Sequence, residues 1–146
     1  MEFTNSITIE RTPHDVFAFV SNLENVPKWN YAIVETRKES EGPVTVGTMY
    51  RQVRSLPSRS EETLQVTEFE PDRRFAFEGG LGPLEGTLTY ELEEVGESTR
   101  LTNRADLQAR GIAKLAAPIA SGRVRGAVAE NLDALKQLLE GDDRLP

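Results

Sequence analysis

The stretch from residue 31 to residue 108 constrains the fold most, because it is a succession of strand patterns separated by short or turn-rich connections. Alternating apolar and polar residues predict strands at about 31–40, 47–56, 61–70, 73–79, 85–95 and 98–108. Strands that follow one another in this way form a meander, in which each strand reverses the direction of the one before. This part of the chain is therefore expected to form an antiparallel sheet.

Another strand and two short helices are predicted before the meander. Residues 3–9 alternate between apolar and polar side chains, which is typical of a half-buried strand. Thr12 is a suitable helix N-cap and Pro13 fits the first helical position, so a helix is expected to begin there. Residues 22–28 indicate a second short helix that ends near Pro27.

The segment 111–140 is predicted to be helical but carries two apolar stripes that point in different directions. Pro118 and Gly122 lie where one stripe gives way to the other, at a position where a kink or break is expected. Two interpretations stay open: residues 111–122 form a hinged flap, or the helix is in two pieces that both bury their stripes. The second stripe, which should pack on the sheet, consists of Val124, Val128, Leu132, Leu135 and Leu139.

This order of elements predicts an α+β fold in a single domain spanning residues 1–146, with 141–146 as a flexible tail. The long helix should cover the concave face of the sheet. Because directions alternate, the connections 55–61, 79–86 and 107–111 should meet at one end of the sheet. The first two carry Leu56, Leu81 and Leu84 where a plain turn would be polar, and the glycines of 79–86 favour a wide turn. We therefore expect a functional rim at this end.

Composition excludes several classes of function. The net charge of −7 disfavours nucleic acid and anionic membranes as partners, and the absence of cysteine excludes disulfides and thiolate chemistry. The single histidine, His14, is expected to be exposed in the first helical turn, which leaves no zinc site or catalytic triad. We expect no metal and no cofactor.

The chain also lacks targeting and membrane signals. Its first ten residues do not resemble a signal peptide, and no apolar stretch approaches the ~20 residues of a membrane helix. A cytoplasmic protein without stable membrane insertion is expected.

Several segments resemble the START/Bet v 1-like (SRPBCC) superfamily, and more narrowly its bacterial polyketide cyclase/dehydrase and lipid-transport branch. The resemblance covers essentially the whole chain and depends on Pro13 and Phe17 in the first helix, Trp29, the Glu70–Pro71 turn and the hairpin at 96–100. It implies a helix-grip fold, in which a curved seven-stranded antiparallel sheet wraps around the long C-terminal helix and leaves a cavity. Members hold lipids, sterols, polyketides or other apolar ligands, and a minority catalyse reactions.

Alternation along the strands indicates which polar side chains face such a cavity. Tyr90 and Asn103 should point inward and Arg104 outward. For strand 47–56 both phases stay open, since one directs Arg51 inward and the other directs Tyr50 and Gln52 inward. Trp29 is either a core anchor or part of the cavity wall. The expected ligand-binding residues are Trp29, Tyr31, Leu81, Tyr90, Asn103 and Ile119.

Three functions are compatible with these features. The first is binding or transport of a small, mainly apolar or aromatic ligand. The second is a polyketide cyclase or dehydratase, in which Arg51, Tyr90 and Asn103 polarise and protonate a bound enol or carbonyl. The third is a protein-interaction module that binds a protein partner through Leu56, Leu81 and Leu84.

Overall fold

The computed structural model describes residues 1–110 and 121–141, and its elements follow the predicted order. Strand β1 is followed by helix α1, a 3-10 helix, six further strands and helix α2. Their bounds are β1 Glu2–Ile9, α1 Pro13–Val20, the 3-10 helix Leu23–Lys28, β2 Ile33–Lys38, β3 Met49–Arg54, β4 Ser60–Glu70, β5 Arg74–Leu81, β6 Leu84–Val95, β7 Ser98–Ala109 and α2 Ser121–Gly141.

The seven strands form one curved antiparallel sheet in the order β1-β7-β6-β5-β4-β3-β2. Strands β2 to β7 are a continuous meander, and β1 pairs with β7 along its whole length, from Glu2 opposite Asp106 to Ile9 opposite Thr99. The predicted α+β architecture is thereby confirmed, with a seven-stranded sheet and a C-terminal helix packed on it.

The two short helices close one side of the sheet. The Thr12 side chain accepts a hydrogen bond from the Asp15 backbone N–H at 3.2 Å, and Pro13 occupies the first turn, as predicted for the start of α1. Helix α1 buries Val16, Phe17 and Val20. The second helix is a 3-10 helix, and Trp29 follows its last residue.

Helix α2 covers the inner face of the sheet with the C-terminal half of the predicted stripe. Leu132, Leu135 and Leu139 are buried in the main core, whereas Val124 and Val128 are only half-buried. The Asn5 side-chain amide donates to the Arg125 carbonyl at 3.2 Å, which ties β1 to the helix. The first predicted stripe, with Ile119, and the tail residues 142–146 lie outside the described residues.

The glycine-rich connection is a tight turn rather than the wide one expected. Strands β5 and β6 extend to Leu81 and Leu84, so only Gly82 and Pro83 form the turn. Gly79 and Gly86 face each other within the strands, and a Cβ on either would overlap a backbone carbonyl oxygen, of Thr63 or Asp106 respectively. These two glycines therefore let neighbouring strands approach closely where the sheet curves. Within the described residues no helix is long and apolar enough to cross a membrane.

Candidate functional site

Three connections meet at one end of the sheet, as the alternation of strand directions predicts. We call residues 55–59, 82–83 and 110 the rim. The Arg110 backbone N–H donates to the Pro83 carbonyl at 3.0 Å, and Arg110 Nε donates to the Gly82 carbonyl at 2.9 Å. On the other side of the turn, the Gly82 N–H donates to the Glu62 carboxylate. The rim is thus held together by backbone and side-chain hydrogen bonds.

The three leucines predicted at this end of the sheet, Leu56, Leu81 and Leu84, do not form the exposed patch expected from the sequence. Leu84 is buried, and Leu81 is half-buried against the core, because both lie on the inner face of β5 and β6 rather than in a loop. Leu56 alone of the three is a large exposed apolar side chain. The basis for a protein-interaction surface made of all three is therefore lost.

Inside the sheet, the structure brings together three of the predicted ligand-binding residues. Tyr90 lies directly opposite Asn103 in the β6–β7 register, and both are buried, as alternation predicts. The Trp29 indole meets the Tyr90 ring edge to face, with ring centroids 6.5 Å apart. The 3-10 helix thus directs an indole against the inner face of the sheet beside a buried amide and a phenol.

Several polar atoms in this interior have no hydrogen-bond partner. Among residues 1–110 and 121–141, these buried atoms are Trp29 Nε1, the Tyr50 hydroxyl and both polar atoms of the Asn103 amide. A buried polar group without a partner costs about 1–3 kcal/mol, and the large majority of buried side-chain polar atoms in native proteins have a partner. Each of these four atoms therefore calls for a physical explanation.

Both buried phenols are uncharged at neutral pH. Burial raises the pKa of Tyr90 well above its ordinary value, and the Asn103 amide, which is close to the phenol but outside hydrogen-bond geometry, lowers it only in part. Burial also raises the pKa of Tyr50 to about 12; the nearby Leu23 backbone opposes this rise and the charge of Glu24 adds to it. The unpartnered groups are therefore neutral hydrogen-bonding groups in apolar surroundings.

A second polar cluster, which the sequence reasoning missed, lies on the inner face next to the rim. Glu62 has a fully buried carboxylate that accepts from Gln52 Nε2 at 2.9 Å, Arg54 Nε at 2.9 Å and Ser60 Oγ at 2.8 Å. Thr36 in turn donates to Gln52 at 3.2 Å. The signal for this cluster was the phase of β4, because Glu62 occupies the same face as the buried Leu64 and Val66.

Glu62 stays ionised despite its burial. Desolvation is the largest single influence and raises the pKa of the carboxyl, but the hydrogen bonds from Arg54 and Gln52, the Arg54 charge and the Gly82 N–H together outweigh it. The net result is a pKa below the ordinary value. The inner face therefore carries a buried ion pair whose carboxylate is well satisfied.

Other predicted site residues lie elsewhere. Tyr31 is 77% exposed, because β2 begins only at Ile33 and Tyr31 belongs to the preceding turn. Arg51 lies on the outer face, 3.5 Å from Glu39, since β3 directs Tyr50, Gln52 and Arg54 inward. His14 is exposed as predicted, 3.3 Å from Asp72. In the described part of the chain no group of three or more His, Asp or Glu side chains could hold a metal ion.

Comparison with known proteins gives a family match over nearly the whole chain. Residues 1–140 match the family described as polyketide cyclase/dehydrase and lipid transport. No curated protein matches the chain.

Solved structures share the fold at low sequence identity. The Zhui aromatase/cyclase from Streptomyces sp. R1128 aligns with a TM-score of 0.78 at 12% identity, covering 99% of this chain and 96% of that one. A conserved protein from Geobacillus kaustophilus aligns with a TM-score of 0.76 at 14% identity, covering 95% of each chain. A START superfamily protein from Mycobacterium smegmatis aligns at 0.69 and 16% identity, covering 99% of each.

Proposed function

This chain belongs to the polyketide cyclase/dehydrase and lipid-transport family, and on that premise we propose that it binds and carries a small, mainly apolar molecule. The ligand lies between the inner face of the sheet and helix α2, and it is reached through the rim. Trp29, Tyr90 and Asn103 contact it, with Leu81 nearer the rim. Ile119, which was also predicted to contact the ligand, lies outside the described residues.

One observation carries this proposal, namely the four unpartnered polar atoms in the buried interior. Trp29 Nε1 and the Asn103 amide nitrogen are donors, the Asn103 amide oxygen is an acceptor, and the Tyr50 hydroxyl can be either. A ligand with a carbonyl or hydroxyl group on an apolar skeleton would satisfy them and recover their desolvation cost. Because these groups are neutral, the part of the ligand inside the core is uncharged.

Native mass spectrometry tests the proposal directly. The protein is purified from its own host, its mass is measured without denaturation, and whatever leaves on unfolding is extracted and identified. We expect a defined apolar or aromatic compound. A mass equal to the chain alone, together with no change in Trp29 fluorescence when the neutral apolar dye Nile red is added, would contradict it. Trp29 is the sole tryptophan, so its emission reports on this site without interference.

A second candidate is a cyclase or dehydratase, and the observation that favours it is the protonated Tyr90 beside Asn103. A neutral phenol and an amide N–H can both donate to a bound carbonyl and polarise it for enolisation. The role first assigned to Arg51 is not available, because that side chain is on the outer face. The test is turnover of a poly-β-ketone by the wild type and by Tyr90→Phe. Turnover that is lost in the variant would support catalysis, whereas binding without turnover would support only the carrier function.

A further inference from the structure

We propose that the ligand is an amphipathic acid whose carboxylate is bound by Arg54 at the rim, while its apolar part lies in the core. The inference rests on the proposed ligand-binding function and specifies which class of apolar molecule the protein accepts. Arg54 would bind the end of the ligand that lies at the rim, whereas the neutral groups around Trp29 and Asn103 would bind the end that lies in the core.

Arg54 is the last residue of β3 and the last of three alternate residues directed inward, after Tyr50 and Gln52. Its side chain is only 12% exposed to solvent. Nε donates to Glu62, and Nη1 lies 3.4 Å from the Leu56 carbonyl, a long distance for a hydrogen bond. Nη2 has no partner among residues 1–110 and 121–141. The guanidinium therefore has donor capacity left at the rim.

Glu62 makes that guanidinium a pre-positioned binding group. The carboxylate holds the Nε side of the fork, and the Arg54 Cδ rests against Gly82 at the turn, where an added Cβ would lie 3.3 Å from it. Fixing one side of the fork leaves the two Nη atoms, whose N–H groups match the two oxygens of a carboxylate. Because the arginine is already ordered, binding loses little side-chain entropy.

On the inner face of the sheet the rim carries the Arg54–Glu62 ion pair, so the free side of the Arg54 fork, and not a general positive potential, would bind an anion. Arg110 lies on the outer face of the sheet, because its guanidinium packs over Gly80, which alternates with the inward Leu81. The Arg110 Nε donates to a backbone carbonyl of the turn. No acidic side chain in the described part of the chain is within ion-pair distance of it. Arg110 therefore does not face the buried Glu62 carboxylate, and the anion-binding group on the inner side of the rim is Arg54.

Competitive displacement of Nile red by decanoate and by decanol tests this inference. The two compounds share an apolar chain and differ in the carboxylate, and the uncharged dye does not itself depend on Arg54. At neutral pH we expect decanoate to displace the dye at about tenfold lower concentration than decanol. Arg54→Gln should remove this preference and leave decanol unaffected. Arg51→Gln is the matched control, because it removes an arginine from the outer face of the same strand, and it should keep the preference.

Because Arg54→Gln leaves Glu62 buried without its partner, two further variants protect the test against misfolding. Arg54→Lys keeps the charge but not the fork and should retain a reduced preference, and Arg54→Gln combined with Glu62→Gln removes the ion pair as a unit. Three results would overturn the inference: equal displacement by both compounds, no displacement by either, or a preference that survives in the folded double variant. In each case, binding of the dye would still support the carrier function. Absence of dye binding by the wild type would count against both.

Discussion

The Glu62 carboxylate stays ionised inside the sheet because each described group that hydrogen-bonds to it is a donor. It accepts hydrogen bonds from two inward-facing side chains of β3, from Ser60 and from the backbone of the β5–β6 turn. Replacing a buried ion pair by apolar residues is often neutral, whereas removing one partner costs several kcal/mol. The main structural effect of Glu62 is therefore to hold the Arg54 side chain and the β5–β6 turn in position.

The depressed pKa of Glu62 predicts acid-dependent stability. A carboxyl whose pKa is lower in the folded state than its ordinary value of 4.5 stabilises the fold above that value. The stabilisation is lost as pH falls below 4.5 and through the folded-state pKa. Glu62→Gln should lower the free energy of unfolding by about 2–3 kcal/mol at neutral pH, and by progressively less as pH falls. Urea denaturation of both proteins over a pH series measures this.

The neighbouring residue provides the control for this prediction. Glu61 is exposed and lies next to Glu62 on the opposite face of β4. Glu61→Gln should change stability by less than about 0.5 kcal/mol at any pH. If the difference between wild type and Glu62→Gln stayed constant with pH, the folded-state pKa of Glu62 would not be depressed.

Asn103 is predicted to trade stability for binding. Its amide is fully buried and unpartnered in the described structure, so a leucine, which has the same branching and number of heavy atoms, removes an unsatisfied group. Asn103→Leu should raise the free energy of unfolding by about 1–2 kcal/mol and weaken Nile red or native ligand binding. Guanidinium denaturation and dye titration measure the two effects, with Arg104→Leu, on the outer face, as the comparison. A loss of stability in Asn103→Leu would show that the amide serves the fold instead.

Period-two alternation allowed the facing of Tyr90, Asn103 and Arg104 to be predicted from the sequence alone. The same rule could not decide the phase of β3, because both of its faces mix polar and apolar residues. The decision is made by partners that are distant in sequence: Thr36 and Glu62 satisfy Gln52, so this polar side chain can be buried. Tyr31 was misplaced because alternation says nothing about a residue in the turn before the strand begins.

At the scale of elements, the paired glycines of β5 and β6 set how closely these strands approach their outer neighbours, β4 and β7. Gly86→Ala should lower the free energy of unfolding by more than about 2 kcal/mol, since its methyl group meets the Asp106 carbonyl of the neighbouring strand. The control is Gly126→Ala, where no atom lies within 4 Å of the added methyl. That variant should stabilise α2 by about 0.5–1 kcal/mol. Thermal or urea unfolding of both variants provides the measurement, and a tolerated Gly86→Ala would contradict the proposed close approach.

Element order and approximate strand positions were predictable because each strand carries its own alternation and each helix its own cap. The length of the Gly82–Pro83 turn was not. Glycine in a sequence signals either a turn or a close backbone approach, and only the register of the four strands β4 to β7 shows that Gly79 and Gly86 belong to the second kind. The exposure of Leu81 and Leu84 was mispredicted for the same reason.

At the scale of the whole molecule, one core joins all the elements. The main apolar cluster takes buried residues from each of the seven strands, from both α-helices and from the 3-10 helix. Trp29 belongs to this cluster. We therefore expect its fluorescence and the far-ultraviolet circular dichroism to change together in a single unfolding transition. Two separated transitions would show that the sheet and the helices unfold as independent units.

The pairing of β1 with β7 has a consequence for the kinetics of folding. Every other pair in the sheet joins strands that are consecutive along the chain, so each can close a short loop and form early. Strand β1 must instead find a partner at the far end of the meander, with Ile9 opposite Thr99. Loop-closure entropy favours its docking last, once β7 is in place to receive it. Helix α2, which is tied to β1 through Asn5, would then settle at the same late stage, so the interior would be sealed only after the rest of the sheet had assembled.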